Sequence, residues 1–119
     1  MEPRSSTSIE RFQVSGNILK LTPRFDPRYQ PRAGMELMNI ISSLAQQGEG
    51  GEVVVDVSDA GSMPSMMFGF LQEAKEVTAR QGKKLKIRIN PETYQRMYSL
   101  GVLGGLSPAD GSLELVTGN

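Results

Sequence analysis

The segment Glu52–Gly82, EVVVDVSDAGSMPSMMFGFLQEAKEVTARQG, decides the fold predicted for this chain. It opens with the run Val53–Val57, which is rich in β-branched residues and typical of a strand buried on both faces. After a short loop, apolar residues recur at gaps of three and four, which predicts a helix of about four turns capped at Gly82. The predicted stripe consists of Met67, Phe70, Leu71, Ala74, Val77 and Thr78.

This strand and helix also predict where a functional site lies. The loop Ser58–Met63 joins them, so it leaves the sheet at the carboxyl end of the strand. Open α/β sheets bind their ligands at that end. We therefore expect the loop and the start of the helix to form the functional surface.

The rest of the chain supplies alternating strands and helices on either side of this segment. We predict strands at Glu10–Val14, Ile18–Thr22, Lys83–Ile89 and Ser112–Val116, and helices at Gly34–Gln47 and from Asn90-Pro91 to Leu100. The order β-β-α-β-α-β-α-β predicts a single α/β domain with a mostly parallel sheet, helices packed against it and the first strand antiparallel at the edge. We expect residues 1–8 to be a flexible tail and residues 9–119 to form the domain.

Composition narrows the function classes. Thirteen basic and thirteen acidic residues balance within 119, which disfavours a nucleic-acid binder. The chain has no cysteine and no histidine, so thiol chemistry and the usual histidine base and metal ligand are missing. No phosphate-binding glycine motif, long apolar run or secretion signal occurs. We expect a cytoplasmic, non-catalytic protein that needs no cofactor or metal and does not insert into a membrane.

The loop Pro23–Pro31 with its neighbour Arg32 admits two interpretations. Its arginines, with Asp26 among them and two aromatic residues nearby, could form a contact surface for an anionic partner. Charge in loops more often only interacts with solvent, and the aromatic residues would then pin the loop to the core.

Several local patterns together resemble the STAS domain, the fold of bacterial anti-sigma-factor antagonists, over residues 12–116. That family shows a strand ending in D-L-S, then D-S-[ST]-G-L-G at a helix start, and later a G-G, an S-P and an L-x-x-x-G-L. The matching pieces here are Phe25-Asp26, Asp56-Val57-Ser58, Pro64-Ser65-Met66-Met67-Phe68-Gly69, Gln81-Gly82-Lys83, Asn90-Pro91 and Met97–Leu103.

The resemblance implies a function and a modification site. In the family, a partner kinase that is also an anti-sigma factor phosphorylates the serine after the motif aspartate, and phosphorylation breaks the complex. That serine is Ser65 here. The partner-binding residues implied are Ser58, Asp59, Met63, Pro64, Ser65, Met66, Met67, Phe68 and Asp26.

The chain departs from the family at this motif, because Pro64 replaces the aspartate, Met66 the second hydroxyl residue and Met67 the glycine. The methionines could fill the core, form an adaptable contact surface or line a ligand pocket. Ser65 could be a phosphorylation site or simply a helix-capping residue.

Three hypotheses follow from the sequence. The first is an interaction module that binds a regulatory protein around Ser65. The second keeps the fold but drops the switch, as in constitutive STAS-like subunits of larger assemblies such as membrane transporters. The third is an enzyme that uses Asp26, Asp56 or Asp59, although Asp56 and Asp59 fit turn chemistry equally well.

Overall fold

The computed structural model describes residues 11–26, 28–30, 32–47, 51–60 and 65–116, with Ser65 described by its backbone. These residues form eight elements. In chain order they are β1 (Phe12–Ser15), β2 (Ile18–Leu21), α1 (Ala33–Gln46), β3 (Glu52–Asp56), α2 (Ser65–Arg80), β4 (Lys84–Ile89), α3 (Pro91–Leu100) and β5 (Leu113–Leu115). The chain is thus an α/β protein with five strands and three helices in its described part, which confirms the predicted fold class.

The five strands form one mixed sheet in the order β1-β2-β3-β4-β5. β1 runs antiparallel to β2, and the remaining three pairs are parallel. In the register of the central pairs, Val54 stands between Ile18 and Lys86, and Asp56 stands between Lys20 and Arg88. The carboxyl ends of β2 to β5 therefore meet at one edge of the sheet.

Only one face of the sheet carries the hydrophobic core. Alternate residues of β4 are buried, whereas the lysines and arginine between them are exposed or half-buried. The core joins the buried strand residues to all three helices. Its members include Leu19, Leu21, Val53, Val55, Leu85, Ile87, Ile89, Leu37, Ile41, Met67, Leu71 and Met97.

The central strand β3 is buried on both sides, as its apolar run predicts, but by different neighbours. Val53 and Val55 are buried in the helix-side core. Val54 is only 4% exposed, yet it lies outside that core cluster. It points to the opposite face, where the side chains of Ile18 and Lys86 flank it in register.

The helix ends follow the local sequence. The Asn90 side chain caps α3 by accepting a hydrogen bond from the Thr93 backbone N–H at 2.7 Å, and Pro91 occupies the first helical position. Gly101 ends the helix in the left-handed conformation, with φ of 71°. These features confirm the predicted start and stop of α3.

The edge strand β1 packs only one of its two apolar side chains against the core. Phe12 and Val14 alternate with polar residues, so both side chains lie on the same side of the strand, level with the core residues Leu21 and Leu19. Phe12 packs against the core, where its ring lies 5.4 Å from that of Phe25. Val14 is 52% exposed. Val14 pairs with Leu19 in register. It is exposed because β1 is the edge strand and lies beyond the area that the helices cover.

α1 and α2 approach each other closely at a glycine. A Cβ added at Gly34 would lie 2.3 Å from the Cζ atom of the Phe70 ring. The ring therefore occupies the space that any other residue at position 34 would need. By contrast, a Cβ added at Gly69 on α2 would meet nothing within 4 Å.

These two glycines give a matched test of helix packing. We expect Gly34→Ala to lower the free energy of unfolding by about 1 kcal/mol, because the Phe70 ring must move. Gly69→Ala should raise it by roughly 0.5–1 kcal/mol through helix propensity alone. Urea unfolding of both variants measures this, and equal gains at both positions would contradict the close contact.

Candidate functional site

The start of α2 stands at the edge of the sheet where the parallel strands end. α2 begins at Ser65, after the loop that leaves β3. The loop after β2 and the residue Asn90 after β4 emerge at the same edge. Of the predicted contact residues, Met63 and Pro64 lie outside the described residues, and so does the side chain of Ser65.

The first turn of α2 divides the methionine cluster between two roles. Met67 is fully buried in the core, and Phe68 is only 3% exposed. Met66 is 48% exposed. Successive residues of a helix are about 100° apart, so neighbours in sequence point to different surroundings. Met67 is therefore core filler, whereas Met66 is available at the surface.

A groove of about 350 Å³ runs beside the first two turns of α2. It separates the helix from the loop that follows α3. Its lining is mostly apolar or glycine, and Gly69 contributes no side chain to fill it. The residues that line it are Phe68, Gly69, Gln72, Gly101, Val102 and Gly104.

Hydrogen bonds from α2 fix the far wall of this groove. The Gln72 side-chain amide donates to the Leu103 carbonyl at 2.8 Å, and Lys75 Nζ donates to the Gly104 carbonyl at 3.4 Å. Gly104 adopts φ of +58°, and a Cβ there would lie 2.3 Å from the Gln72 side chain. The positive φ therefore favours glycine at this position, and any larger residue would also displace the Gln72 amide.

Sequence reasoning missed this wall. The glycine-rich segment Gly101–Gly105 begins where the predicted helix ends at Leu100, but its packing against α2 depends on tertiary structure. Two signals were present. Several glycines beyond the single capping residue indicate a backbone that approaches another element closely, and Gln72 interrupts the charged face of α2.

A cation lies over one end of the groove. The Arg96 guanidinium carbon is 5.4 Å from the centre of the Phe68 ring. Arg96 is on α3, so this cation–π contact links α3 to the first turn of α2. The groove is therefore apolar inside and has positive charge at its rim, from Arg96 and Lys75.

Asp56 and Asp59, the candidate acids at the end of β3, have local structural partners. Asp56 Oδ1 accepts hydrogen bonds from the Ser58 backbone N–H at 2.9 Å and from its hydroxyl at 2.6 Å. Asp59 forms an ion pair with Lys20 at 2.9 Å. Asp56 thus makes the turn that its spacing to Ser58 allows.

Ser58 and Asp59 line a separate open depression of about 520 Å³ with the start of α3. The Asn90 side-chain amide reaches the Ser58 carbonyl at 3.4 Å. This contact ties the loop after β3 to the loop after β4. The predicted contact residues Ser58 and Asp59 therefore border α3, whereas Phe68 lines the groove. Met66 is exposed on the first turn of α2 but does not line the groove.

Asp26 is held within its own loop, and among the described residues no hydrogen bond or ion pair joins it to the other predicted site residues. Its carboxylate takes two hydrogen bonds from the Arg28 guanidinium, at 2.8 and 3.0 Å. These bonds lower the pKa of Asp26 below its ordinary value of 3.8. Phe25 is buried and anchors the loop, while Tyr29 is exposed under Arg28. This geometry favours the interpretation of a solvated loop pinned by an aromatic residue.

Two further features bear on the class of protein. Across the described residues, no cluster of three or more acidic, histidine or cysteine side chains could hold a metal ion. Among the helices of the described ranges, none has the length and apolar character needed to cross a membrane.

No protein-family model matches the chain, and comparisons with curated proteins and with solved structures gave no match either. The groove beside α2 is consequently the main guide to function.

The two methionines give a matched test of the site. We expect Met67→Ala to cost about 2–5 kcal/mol of unfolding free energy, because it leaves a cavity in the core. Met66→Ala should change stability by less than about 0.5 kcal/mol, because the side chain is exposed. Thermal or urea unfolding measures both values. Similar losses for the two variants would contradict the division of roles.

The Asp26–Arg28 pair predicts a pH dependence. The folded-state pKa of Asp26 is lowered, so its stabilising effect is present above pH 3.8 and is lost as the pH falls through the folded-state value. Asp26→Asn should therefore be slightly less stable than the parent protein at neutral pH and equally stable in strong acid. Melting temperatures between pH 2 and 7 test this. A difference that stays constant over the range would contradict it.

Proposed function

We propose that this chain is a non-catalytic, cytoplasmic protein-interaction module of the STAS type, and that its partner binds at the start of α2. The observation that carries the proposal is the apolar groove beside the first turns of α2. Met66, on the first turn of the same helix, adds an exposed apolar side chain on another side of α2. Apolar surface at the functional edge of an α/β sheet is typical of a binding site.

The position of Ser65 supports this choice of face. Ser65 precedes Phe68, Gly69 and Gln72 by three, four and seven residues. Positions with these separations share one face of a helix. The candidate modification site therefore lies on the same helical face as the groove, one turn from its nearest lining residues.

This placement explains how phosphorylation would control binding. A phosphate on the first residue of α2 would be stabilised by the free backbone N–H groups and by the helix dipole. It would also add nearly two negative charges next to an apolar groove. A partner that inserts an apolar side chain there would then lose affinity.

The partner we propose is a protein, such as a kinase-type anti-sigma factor. The element order and the three parallel strand pairs are compatible with the STAS-like, mostly parallel sheet that the sequence resembles. In this role the chain needs no catalytic residue, because the partner supplies the chemistry. The engagement of Asp26, Asp56 and Asp59 in local structure favours binding over catalysis.

A constitutive docking subunit is the second candidate, and one observation favours it. Pro64, Met66 and Met67 replace the polar residues of the phosphorylation motif. Met67 is fully buried in the core. Replacing it with the glycine of the family motif would therefore leave a cavity. The groove would then hold its partner permanently, with no switch.

The test uses the partner recovered from the native host by pull-down and identified by mass spectrometry. We expect Ser65→Asp to weaken binding at least tenfold in a titration, because it places negative charge at the edge of the groove. Ser65→Ala is the matched control and should bind like the parent protein. The same pull-down shows whether the Ser65 peptide carries phosphate.

The outcomes separate the two candidates. If Ser65→Asp lowers the affinity for the partner and Ser65 carries phosphate in the host, the phosphorylation switch is supported. Equal affinity of the Asp and Ala variants, with Ser65 unmodified, contradicts the switch and supports the constitutive subunit.

A further inference from the structure

We infer that the sheet face opposite the helices is a self-association surface, which pairs with the same face of a second copy of this chain. The inference concerns the side of the sheet away from the groove, so it is independent of the proposed partner site. It depends on the order of charges across four strands.

The topology explains why, in the described part of the chain, the helices leave this face of the sheet free. β2, β3, β4 and β5 follow one another across the sheet in chain order, and each parallel pair is joined through a helix. Crossovers of this kind share one hand, so consecutive crossovers in the same direction place their helices on the same face. All three helices contribute to the single core cluster on that face. None of the described helices covers the other face.

The uncovered face alternates in charge from strand to strand. β2 carries a positive side chain there, β3 two negative ones, β4 three positive ones and β5 a negative one, whereas β1 contributes uncharged residues. In strand order these charges are Lys20; Glu52 and Asp56; Lys84, Lys86 and Arg88; and Glu114.

This order is self-complementary under a two-fold rotation. Consider an axis that runs parallel to the strands, between the stacked sheets, at the boundary of β3 and β4. Rotation places β3 over β4 of the second copy and β2 over its β5. Because the axis is parallel to the strands, residues that stand level within one sheet also stand level across the two sheets. Acidic strands then face basic strands throughout, as an isologous interface requires.

The register makes the individual pairs specific. Glu52 stands level with Lys84, and Asp56 stands level with Arg88. Across the axis, Glu52 of one copy faces Lys84 of the other, and Asp56 faces Arg88. Lys20 faces Glu114 in the same row, because both stand level with the Asp56 and Arg88 pair.

Some of these charges lack an ionic partner within one copy. Within the described ranges, the Glu52 carboxylate and the Lys84 ammonium take part in no ion pair, although they are neighbours in register. Among the described residues, the Asp56 carboxylate accepts hydrogen bonds from Ser58, and its charge also favours the protonated form of Lys20, without an ion-pair contact. Glu114, in contrast, already pairs with Arg88 at 3.1 Å. A second copy would supply the missing partners.

The area of the face sets the strength of this association. Four strands about 4.8 Å apart and three rows of side chains about 6.7 Å apart cover a footprint of roughly 400 Å². This footprint on each copy, about 800 Å² over both copies, is smaller than a stable specific interface and typical of a weak, transient contact. We therefore expect a weak dimer that depends on charge and dissociates as salt is added.

The test is the mass of the purified full chain in solution. Sedimentation equilibrium at low ionic strength should give a mass that rises with protein concentration from 13.0 kDa toward twice that value, and that stays near 13.0 kDa in molar salt. Glu52→Lys and Lys84→Glu each place like charges opposite one another, so each should shift the dissociation constant upward at least tenfold. The double variant Glu52→Lys/Lys84→Glu should restore the parent value.

Two controls separate association from folding. Glu73→Lys makes the same change of charge on the helix layer and should leave the dimer intact. Circular-dichroism melting should show that the single reversals remain folded, because neither residue forms an ion pair within one copy. A monomer at low salt overturns the inference. A dissociation constant that neither single charge reversal changes would contradict this face as the interface. A double variant that stays monomeric would contradict the proposed axis.

Discussion

The burial of three consecutive valines in β3 is the constraint on which the rest of the structure depends. Val53 and Val55 require a helix layer on one side, and Val54 requires shielding on the other. A strand of this kind must sit between two neighbours, and β3 pairs with β2 and β4. The helices on either side of it in sequence, α1 and α2, then pack against the same face. The start of α2 is consequently fixed at the carboxyl edge of the sheet.

The same constraint gives the molecule two unlike surfaces. The helix side holds the core and, at its edge, the apolar groove that we assign to a partner. The other side is an alternating array of charges with Val54 at its centre. If two copies associate through the charged faces, their helix layers point outward. Both α2 starts would then remain accessible, so self-association and partner binding are compatible.

Much of the fold could be predicted because local patterns and tertiary packing agree. The alternation in β4 gave its buried face, and Asn90-Pro91 gave the start of α3. The exposure of Val14 was not predictable from its pattern, because alternation indicates which side a residue faces but not whether a helix covers it. The sheet order and the single-sided helix layer likewise depend on how the strands are arranged, which periodicity does not specify.

The helix start that bears the candidate site was predicted from the sequence, but the composition of the groove was not. α2 begins where the sequence predicts it, and Met66 is exposed on its first turn. Met67, grouped with it in the sequence, belongs to the core. The opposite wall of the groove comes from Val102 and Gly104, some thirty residues later. Hydrogen bonds from Gln72 and Lys75 hold that wall against α2.

The groove itself can be tested most directly by filling it. Gly69→Trp adds a large side chain at a position where a Cβ meets nothing, so the fold should remain intact by circular dichroism. Pull-downs from the native host would compare this variant with the parent protein and with Gly69→Ala as the control. We predict that the parent protein and Gly69→Ala recover the partner in the pull-down, and that Gly69→Trp does not. Equal recovery by all three would show that the partner does not bind at the groove beside α2.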